Sequence, residues 1–283
     1  SFCLVVILTL PLLLPADNVI AQSSDTFPYT EFVYNNNSGL ISSEANDIAE
    51  TPDGYIWIGS SAGLTRYDGT NFEFIHKSEI VNVTTLLVDS KGRLWIGTND
   101  NGIAVYENET FTFFSTEDGL PATSIRSFME SPDGSNYVGT THELCKIDRK
   151  FNIHTLNLGI SYVNSLSLYM DYLLCVDNLG TLYILKDDRI LFRVTCDDPV
   201  AYYTSVNVTS HGIVAATSTN LIEFFVFNDN FIKVTRRLRV SPLANVSSLT
   251  SDSNGMLWLC ADNGFGYLDL GNRFHLCNYE NYN

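Results

Sequence analysis

The sequence predicts an all-β fold, and two observations support this prediction. First, the segment "GYIWIGSSAG" at Gly54–Gly63 returns as "GRLWIGTNDNG" at Gly92–Gly102 and as "GMLWLCADNG" at Gly255–Gly264, so one unit recurs along the chain. Second, the apolar residues fall in short β-branched and aromatic runs between Gly- and Asn-containing turns, without a sustained helical period. Four short antiparallel strands in a unit of about forty residues form the blade of a β-propeller. A β-solenoid is the main alternative, but its coils usually repeat in shorter periods.

Six copies of the unit align on one position at the centre of the second strand. The residues at this position are Trp57, Trp95, Tyr137, Leu174, Val214 and Trp258. Neighbouring blades pack face to face, and a large side chain here fills the space between them. We therefore expect these six anchor residues in the core and not in a row that binds ligand.

The other strands of each unit follow in a fixed order. A turn such as "PDG" at 52–54 precedes the anchor strand, and Gly suits the positive φ that such turns often need. A third strand follows, for example Leu64–Asp68. A fourth strand, for example Phe111–Phe114, completes the blade.

One strand-like segment is left over when the six copies are assigned. The segment "YTEFVY" (Tyr29–Tyr34) precedes the first full copy, whereas the sixth copy already has a candidate fourth strand at Arg273–Cys277. We therefore expect six visible blades of a seven-bladed ring whose seventh blade continues beyond residue 283. A closed six-bladed ring with a redundant edge strand is the alternative.

The first residues differ from the repeats. Phe2–Pro15 is almost wholly apolar, and small residues at positions 19 and 21 suit a secretory cleavage site after Ala21. The run is too short to span a bilayer, which takes about 20 apolar residues. It lacks an initiator Met and a basic segment. The predicted organisation is a partial signal peptide at 1–21, a linker at 22–28 and the propeller at 29–283.

Composition excludes several classes of partner and site. The formal net charge is −16, which argues against nucleic acid and against docking on anionic lipid. The cysteines outside the predicted signal are odd in number and lie in different repeats, so neither a disulfide framework nor a zinc site is expected. We expect no metal and no cofactor, and interpret most of these cysteines as small apolar residues in strands.

The best copies carry a recognisable motif. Asp89–Ile125 reads "DSKGRLWIGTNDNGIAVYENETFTFFSTEDGLPATSI", and Pro52–Phe74 is close to it. This pattern resembles the two-component regulator propeller repeat, although the copies around Leu174 and Val214 lose the Trp. The resemblance implies an exported sensor module, periplasmic or extracellular, that precedes a membrane span and a histidine kinase or diguanylate cyclase. In hybrid systems of gut bacteria it implies ligands derived from complex polysaccharides. It supplies no shared set of ligand residues.

The candidate binding residues follow from topology, because the loops that enter each first strand and the loops that join the second and third strands share one face. Their amide, carboxylate, guanidinium and hydroxyl groups suit sugar hydroxyls. The residues are Asn46, Asp47, Asn82, Asp100, Asn101, Thr123, Arg126, His142, Asn164, Asn178, Tyr202 and Asp262. Polar loop residues are also common simply because loops are exposed to water.

The predicted function is therefore a non-catalytic module that senses a small solute such as an oligosaccharide and signals to an output domain outside this chain. A homodimer formed through the whole receptor is a further expectation. One alternative is a secreted propeller enzyme, either a glycosidase of the sialidase kind or a lyase. However, Arg66, Arg193, Arg236 and Arg237 fall in third or fourth strands and no nucleophile–base arrangement is evident. The other alternative is a propeller that docks a protein or dimerises.

Overall fold

The computed structural model describes residues 4–8, 30–210 and 212–277, which form six four-stranded antiparallel sheets and one two-stranded sheet. In each four-stranded sheet the strands pair in chain order, so each sheet is a meander. The six sheets are the blades of a β-propeller, as predicted. The two-stranded sheet pairs β1 (Leu4–Leu8) with β2 (Thr30–Tyr34).

The first three blades contain the best copies of the motif. Their strands are β3 (Asp47–Glu50), β4 (Ile56–Ser60), β5 (Gly63–Tyr67) and β6 (Phe72–Phe74) in blade one; β7 (Val83–Val88), β8 (Leu94–Thr98), β9 (Ile103–Glu107) and β10 (Thr110–Phe114) in blade two; and β11 (Ile125–Glu130), β12 (Asn136–Thr140), β13 (Leu144–Ile147) and β14 (Ile153–Thr155) in blade three.

The last three blades have the same topology, and blade five has the longest hairpin. Their strands are β15 (Ser165–Tyr169), β16 (Tyr172–Val176), β17 (Leu182–Lys186) and β18 (Arg189–Val194) in blade four; β19 (Tyr203–Thr209), β20 (Gly212–Thr217), β21 (Leu221–Asn228) and β22 (Phe231–Arg239) in blade five; and β23 (Val246–Ser251), β24 (Leu257–Ala261), β25 (Gly264–Leu268) and β26 (Phe274–Cys277) in blade six.

The core lies between neighbouring blades. A separate cluster of buried apolar side chains fills each contact from blade one to blade six, and the first strands meet in the same sequence, β3 with β7 and so on to β19 with β23. The anchors of the first five blades are buried, as predicted, whereas the sixth, Trp258, is only partly buried. Trp57, for example, packs on Tyr106 of blade two, with 5.0 Å between ring centroids.

The region before blade one contains the predicted extra strand. β2 lies outside the six blades, and β26 closes blade six, which confirms the assignment of both segments. A 3-10 helix at Asn36–Ser38 follows β2, and a second one at Thr116–Asp118 follows β10.

The predicted signal peptide is described only at 4–8, and its predicted cleavage site lies outside the described residues. Neither helix in the described part of the chain is long enough to cross a membrane.

Candidate functional site

The loops that the sequence analysis selected lie at one end of the blades. Each blade is an antiparallel meander, so the connections from a fourth strand to the next first strand lie beside the connections between second and third strands. The connections between first and second and between third and fourth strands lie at the opposite end. The twelve predicted residues lie on the first of these two faces or at its edge.

Two of the predicted residues connect blades one and two. The Asn46 side-chain amide donates to the Val83 carbonyl over 2.7 Å. The Asp47 carboxylate accepts from the Thr85 hydroxyl at 3.1 Å and from the Leu86 amide at 2.7 Å. Desolvation raises the pKa of Asp47, although these hydrogen bonds act in the opposite direction. Both side chains already have structural partners in the contact between blades.

Other predicted residues pair with one another. The Asn82 amide donates to the Asp100 carboxylate over 3.0 Å, and Asp262 of blade six accepts from Asn245 over 2.7 Å. Both asparagines have φ in the left-handed region, where Asn is more readily accommodated than most residues. The same Asn–Asp side-chain hydrogen bond thus connects the loops in blades two and six.

The remaining predicted residues are distributed around the face. Arg126 donates to Asn164 over 3.3 Å and so connects blades three and four. His142, Asn178 and Tyr202 are exposed in three different loops. Among the described residues, no hydrogen bond or ion pair joins these three side chains to one another, so they are separate candidates.

A cavity of about 310 Å³ at blade two is lined in part by three of the predicted residues. Its lining is made of the loops before and after the blade, the loop between β8 and β9, and the end of β10. The lining residues are Glu79, Asp100, Asn101, Phe113, Phe114, Ser115, Asp118 and Thr123. A volume near 300 Å³ is at the small end of the range for ligand pockets.

The polar groups of this cavity are held in place by hydrogen bonds. The Asn101 amide donates to the Glu79 carbonyl over 3.3 Å, and the Asp118 carboxylate accepts from the Ser115 backbone amide over 2.8 Å. The Ser78 hydroxyl donates to Glu79 and holds the pKa of that carboxyl below its usual value. The cavity therefore presents fixed acceptors and a net negative charge.

Phe113 supplies an apolar surface beside these groups. It is 38% exposed, whereas the neighbouring Phe114 is 9% exposed and stacks on Phe151 of blade three. The sequence analysis did not select Phe113 as a candidate, because alternation along β10 alone does not show which aromatic faces a cavity. The "FTFF" run followed by a capped turn is the signal that marks the position.

A second cavity of about 400 Å³ lies on the opposite face, between blades three and four. It contains none of the twelve predicted residues. Lys146 lies within 3.4 Å of the Asp133 carboxylate, and the Tyr137 hydroxyl donates to Asp188 over 2.6 Å. These polar groups are thus already paired with one another.

The described residues offer neither a metal site nor a converging set of arginines. Within them, no group of three or more His, Cys, Asp and Glu side chains is placed to hold a metal ion. Arg66 bonds Glu73 of the neighbouring strand, and Arg237 bonds Glu223 in the same way. Arg237 also pairs with Asp197 in the connection between blades four and five, so both guanidinium groups are already paired with carboxylates of the protein.

The comparisons with known proteins agree with the motif. Residues 39–62 and 79–100 match the family described as two component regulator propeller. The comparison with curated proteins gives no match.

Several solved structures share the fold. The extracellular domain of the hybrid two component system BT3049 from B. thetaiotaomicron is 19% identical, with a TM-score of 0.72, over 85% of this chain and 35% of that one. The extracellular domain of BT4673 from the same organism is 18% identical, with a TM-score of 0.65, over 81% of this chain and 33% of that one. This chain therefore spans about a third of the length of these sensor ectodomains.

An enzyme has the same fold as well. Virginiamycin B lyase from Staphylococcus aureus is 15% identical, with a TM-score of 0.69, over 83% of this chain and 84% of that one. At such identities a likeness shows the fold alone, and the fold does not separate a sensor domain from an enzyme. The chain is therefore a β-propeller with six described blades, in which residues 39–62 and 79–100 match the family described as two component regulator propeller.

Proposed function

We propose that this propeller is an exported ligand-sensing module of a signal-transduction receptor. The family repeats and the fold shared with extracellular sensor domains support this role. The ligand is a small solute of the oligosaccharide class, and the output domain, a kinase or a cyclase, lies in a part of the receptor outside this chain. The module itself performs no chemistry.

The observation that carries the proposal is the cavity at blade two. An exposed aromatic ring beside fixed carboxylate and amide groups can contact the apolar face of a sugar while the polar groups bind its hydroxyls. Three carboxylates line the cavity, namely Glu79, Asp100 and Asp118. We therefore expect neutral or amine-bearing sugars to bind and acidic sugars to be excluded by charge repulsion.

A thermal-stability screen tests this function. Cellobiose, xylobiose, maltose, chitobiose and di-galacturonic acid would be added to the protein, and binding followed by the shift in Tm and by calorimetry. A ligand at 100 times its Kd stabilises the folded state by about 2.7 kcal/mol through mass action. We expect stabilisation by at least one neutral or amine-bearing sugar and none by the acidic one.

Variants locate the site. Phe113→Ala and Asn101→Ala should weaken binding by about tenfold, which corresponds to the loss of about 1.4 kcal/mol of contact energy. The matched control is Phe231→Ala, an aromatic that is 46% exposed on the opposite face. Binding that survives Phe113→Ala unchanged, or tight binding of di-galacturonic acid at this cavity, would contradict the proposal.

A further inference from the structure

Three Asn-Gly steps occur in the chain, at Asn101–Gly102, Asn254–Gly255 and Asn263–Gly264. This dipeptide is chemically labile, because glycine has no side chain to shield its backbone nitrogen from the side-chain amide of the preceding asparagine. The reaction between the two groups requires a side-chain amide that can turn toward the glycine nitrogen and a glycine that can change its conformation. The three steps differ in both respects.

The step at Asn263–Gly264 is held by hydrogen bonds at both ends of the asparagine side chain. The Asn263 side-chain oxygen accepts from the Ala244 amide over 2.8 Å, and the side-chain nitrogen donates to the Pro242 carbonyl over 2.8 Å. Both bonds join the loop between β24 and β25 to the connection that precedes blade six. The side chain of Asn263 therefore cannot turn toward Gly264 without breaking them.

The step at Asn101–Gly102 is held through both of its residues. The Asn101 side-chain amide donates to the Glu79 carbonyl over 3.3 Å, and the Gly102 backbone amide donates to the Thr123 carbonyl over 2.8 Å. Gly102 is also buried, and a Cβ atom added to it would lie 2.2 Å from the carbonyl oxygen of Phe114. The glycine nitrogen of this step is thus fixed in a contact between two loops.

The step at Asn254–Gly255 lies in the turn between β23 and β24 and lacks these restraints. Both residues are exposed. Among the described residues, none forms a hydrogen bond with the Asn254 side chain, whose residue is bonded through its backbone amide. The Gly255 amide donates to the Asp252 carbonyl over 3.0 Å, a bond within the turn itself. This step therefore combines a side-chain amide that can turn with an exposed glycine.

We propose that Asn254 is a site of spontaneous covalent modification, at which its side-chain amide is lost to water. The Gly255 nitrogen forms a bond to Cγ of Asn254, and its proton leaves, by way of solvent, with the side-chain NH2 group as ammonia. The product is a cyclic succinimide. Water then adds to one ring carbonyl and breaks its bond to the ring nitrogen. Breaking the bond to Cγ gives aspartate, and breaking the bond to the main-chain carbonyl carbon gives isoaspartate.

The two products have different consequences for the turn. Aspartate fits it, because blades one and three carry Asp53 and Asp133 at the same position of "PDG". Isoaspartate adds a carbon atom to the main chain inside the turn. The Asp252 carboxylate holds this turn, since it accepts from the Asn254 backbone amide over 2.8 Å and from the Trp258 indole over 3.1 Å. Isoaspartate therefore displaces the acceptor of the anchor in blade six.

Ageing of the purified protein in mildly alkaline buffer tests the proposal. Peptide mass spectrometry follows the conversion of each Asn-Gly step, and electron-transfer fragmentation separates aspartate from isoaspartate. We expect Asn254 to convert about tenfold faster than Asn263 or more, because two hydrogen bonds must open before Asn263 can react. The matched control is Asn254→Lys, which carries the residue that blade two has at this position, Lys91, and has no amide to lose.

Thermal stability separates the two products. The Tm of the aged wild type should fall by about 2–4 °C, the shift expected when a hydrogen bond of the turn is lost in a chain of this size. Fresh Asn254→Asp and aged Asn254→Lys should keep the Tm of their unaged parents, the wild type and Asn254→Lys respectively.

Two results would overturn this inference. The three Asn-Gly steps could convert at the same rate, or Asn254 could stay intact after either of the other two has reacted. An equal loss of Tm in aged Asn254→Lys would overturn the assignment of the destabilisation to this turn. The test needs no ligand, so its outcome is separate from that of the sugar-binding experiments.

Discussion

At the scale of single residues, one position of the motif is explained by the buried Trp, because the indole N–H needs a hydrogen-bond acceptor. The Trp95 N–H donates to the Asp89 carboxylate over 2.9 Å, and the Arg93 guanidinium forms a buried ion pair with the same carboxylate at 2.6 Å. In blade six, Asp252 accepts from Trp258, and in blade one the Thr51 hydroxyl accepts from Trp57. The acidic residue six positions before the Trp is therefore a structural acceptor that lets a polar ring edge be buried.

The variant Asp89→Asn tests this role and its pH dependence. Burial raises the pKa of Asp89, but the hydrogen bonds from Trp95 and Arg93 outweigh it, so the pKa lies below its ordinary value of 3.8. The carboxylate therefore stabilises the fold above about pH 4, and this contribution is lost as the pH falls through the lowered value. We expect Asp89→Asn to cost about 3 kcal/mol at pH 7, because it leaves a buried guanidinium without its charge partner.

Urea unfolding at pH 7 and at pH 3 measures the effect. The difference between wild type and Asp89→Asn should shrink at the lower pH. The matched control is Asp252→Asn, where Met256 stands in place of Arg93 and no guanidinium is left behind. Equal losses in the two variants, or a loss independent of pH, would show that the ion pair is not the cause.

At the scale of the strand, glycine sets the distance between blades. Gly97 lies in the middle of β8 without a positive φ, so its conformation alone does not require glycine. A Cβ there would lie 2.7 Å from Cγ2 of Thr85 and 2.8 Å from Cγ2 of Ile125, which belongs to blade three. In the "WIG" triplet, the Trp fills the gap between two blades, and the Gly two residues later lets the first strand of the next blade approach closely.

We expect Gly97→Ala to destabilise the protein by about 1–3 kcal/mol, the usual cost of overpacking a core. Chemical denaturation of the purified variant measures this loss. The reciprocal variant is Ala216→Gly in blade five, where the same position already holds a methyl group. That change should cost less, because it removes a single carbon. A neutral Gly97→Ala would mean that blades two and three separate without penalty.

At the scale of the whole molecule, the contribution of an anchor depends on its place in the series of blades. Trp95 is fully buried between blades two and three, where its ring lies 6.1 Å from that of Phe128. Trp258 in blade six is only partly buried. The same residue type in the same motif therefore has two different environments.

We expect Trp95→Ala to cost about 3–5 kcal/mol, as for a large side chain removed from a core. Trp258→Ala in the same chain should cost distinctly less, because part of its ring already contacts solvent. Denaturation midpoints of the two variants give the comparison. Equal losses in the two variants would contradict this dependence on burial.

The strands, the repeat and the buried anchors could be predicted from the sequence because they depend on local patterns. Each of these patterns extends over only a few residues: the alternation of apolar residues, the glycine in turns and the Trp in the second strand. The burial of Cys145, Cys175 and Cys277 follows from the same patterns, whereas the exposure of Cys260 does not.

The tertiary structure alone decided which of the twelve polar loop residues meet. Asp47 and Asp100 are both acidic residues on the same face, yet Asp47 bonds Thr85 and Leu86 of the next blade while Asp100 lines a cavity. The contacts that distinguish them come from other repeats or other loops, so their sequence neighbours carry no information about this difference. The sequence by itself therefore determined the blades and their order. The position of the cavity was decided by packing between blades, because the contacts that form it join residues far apart in the chain.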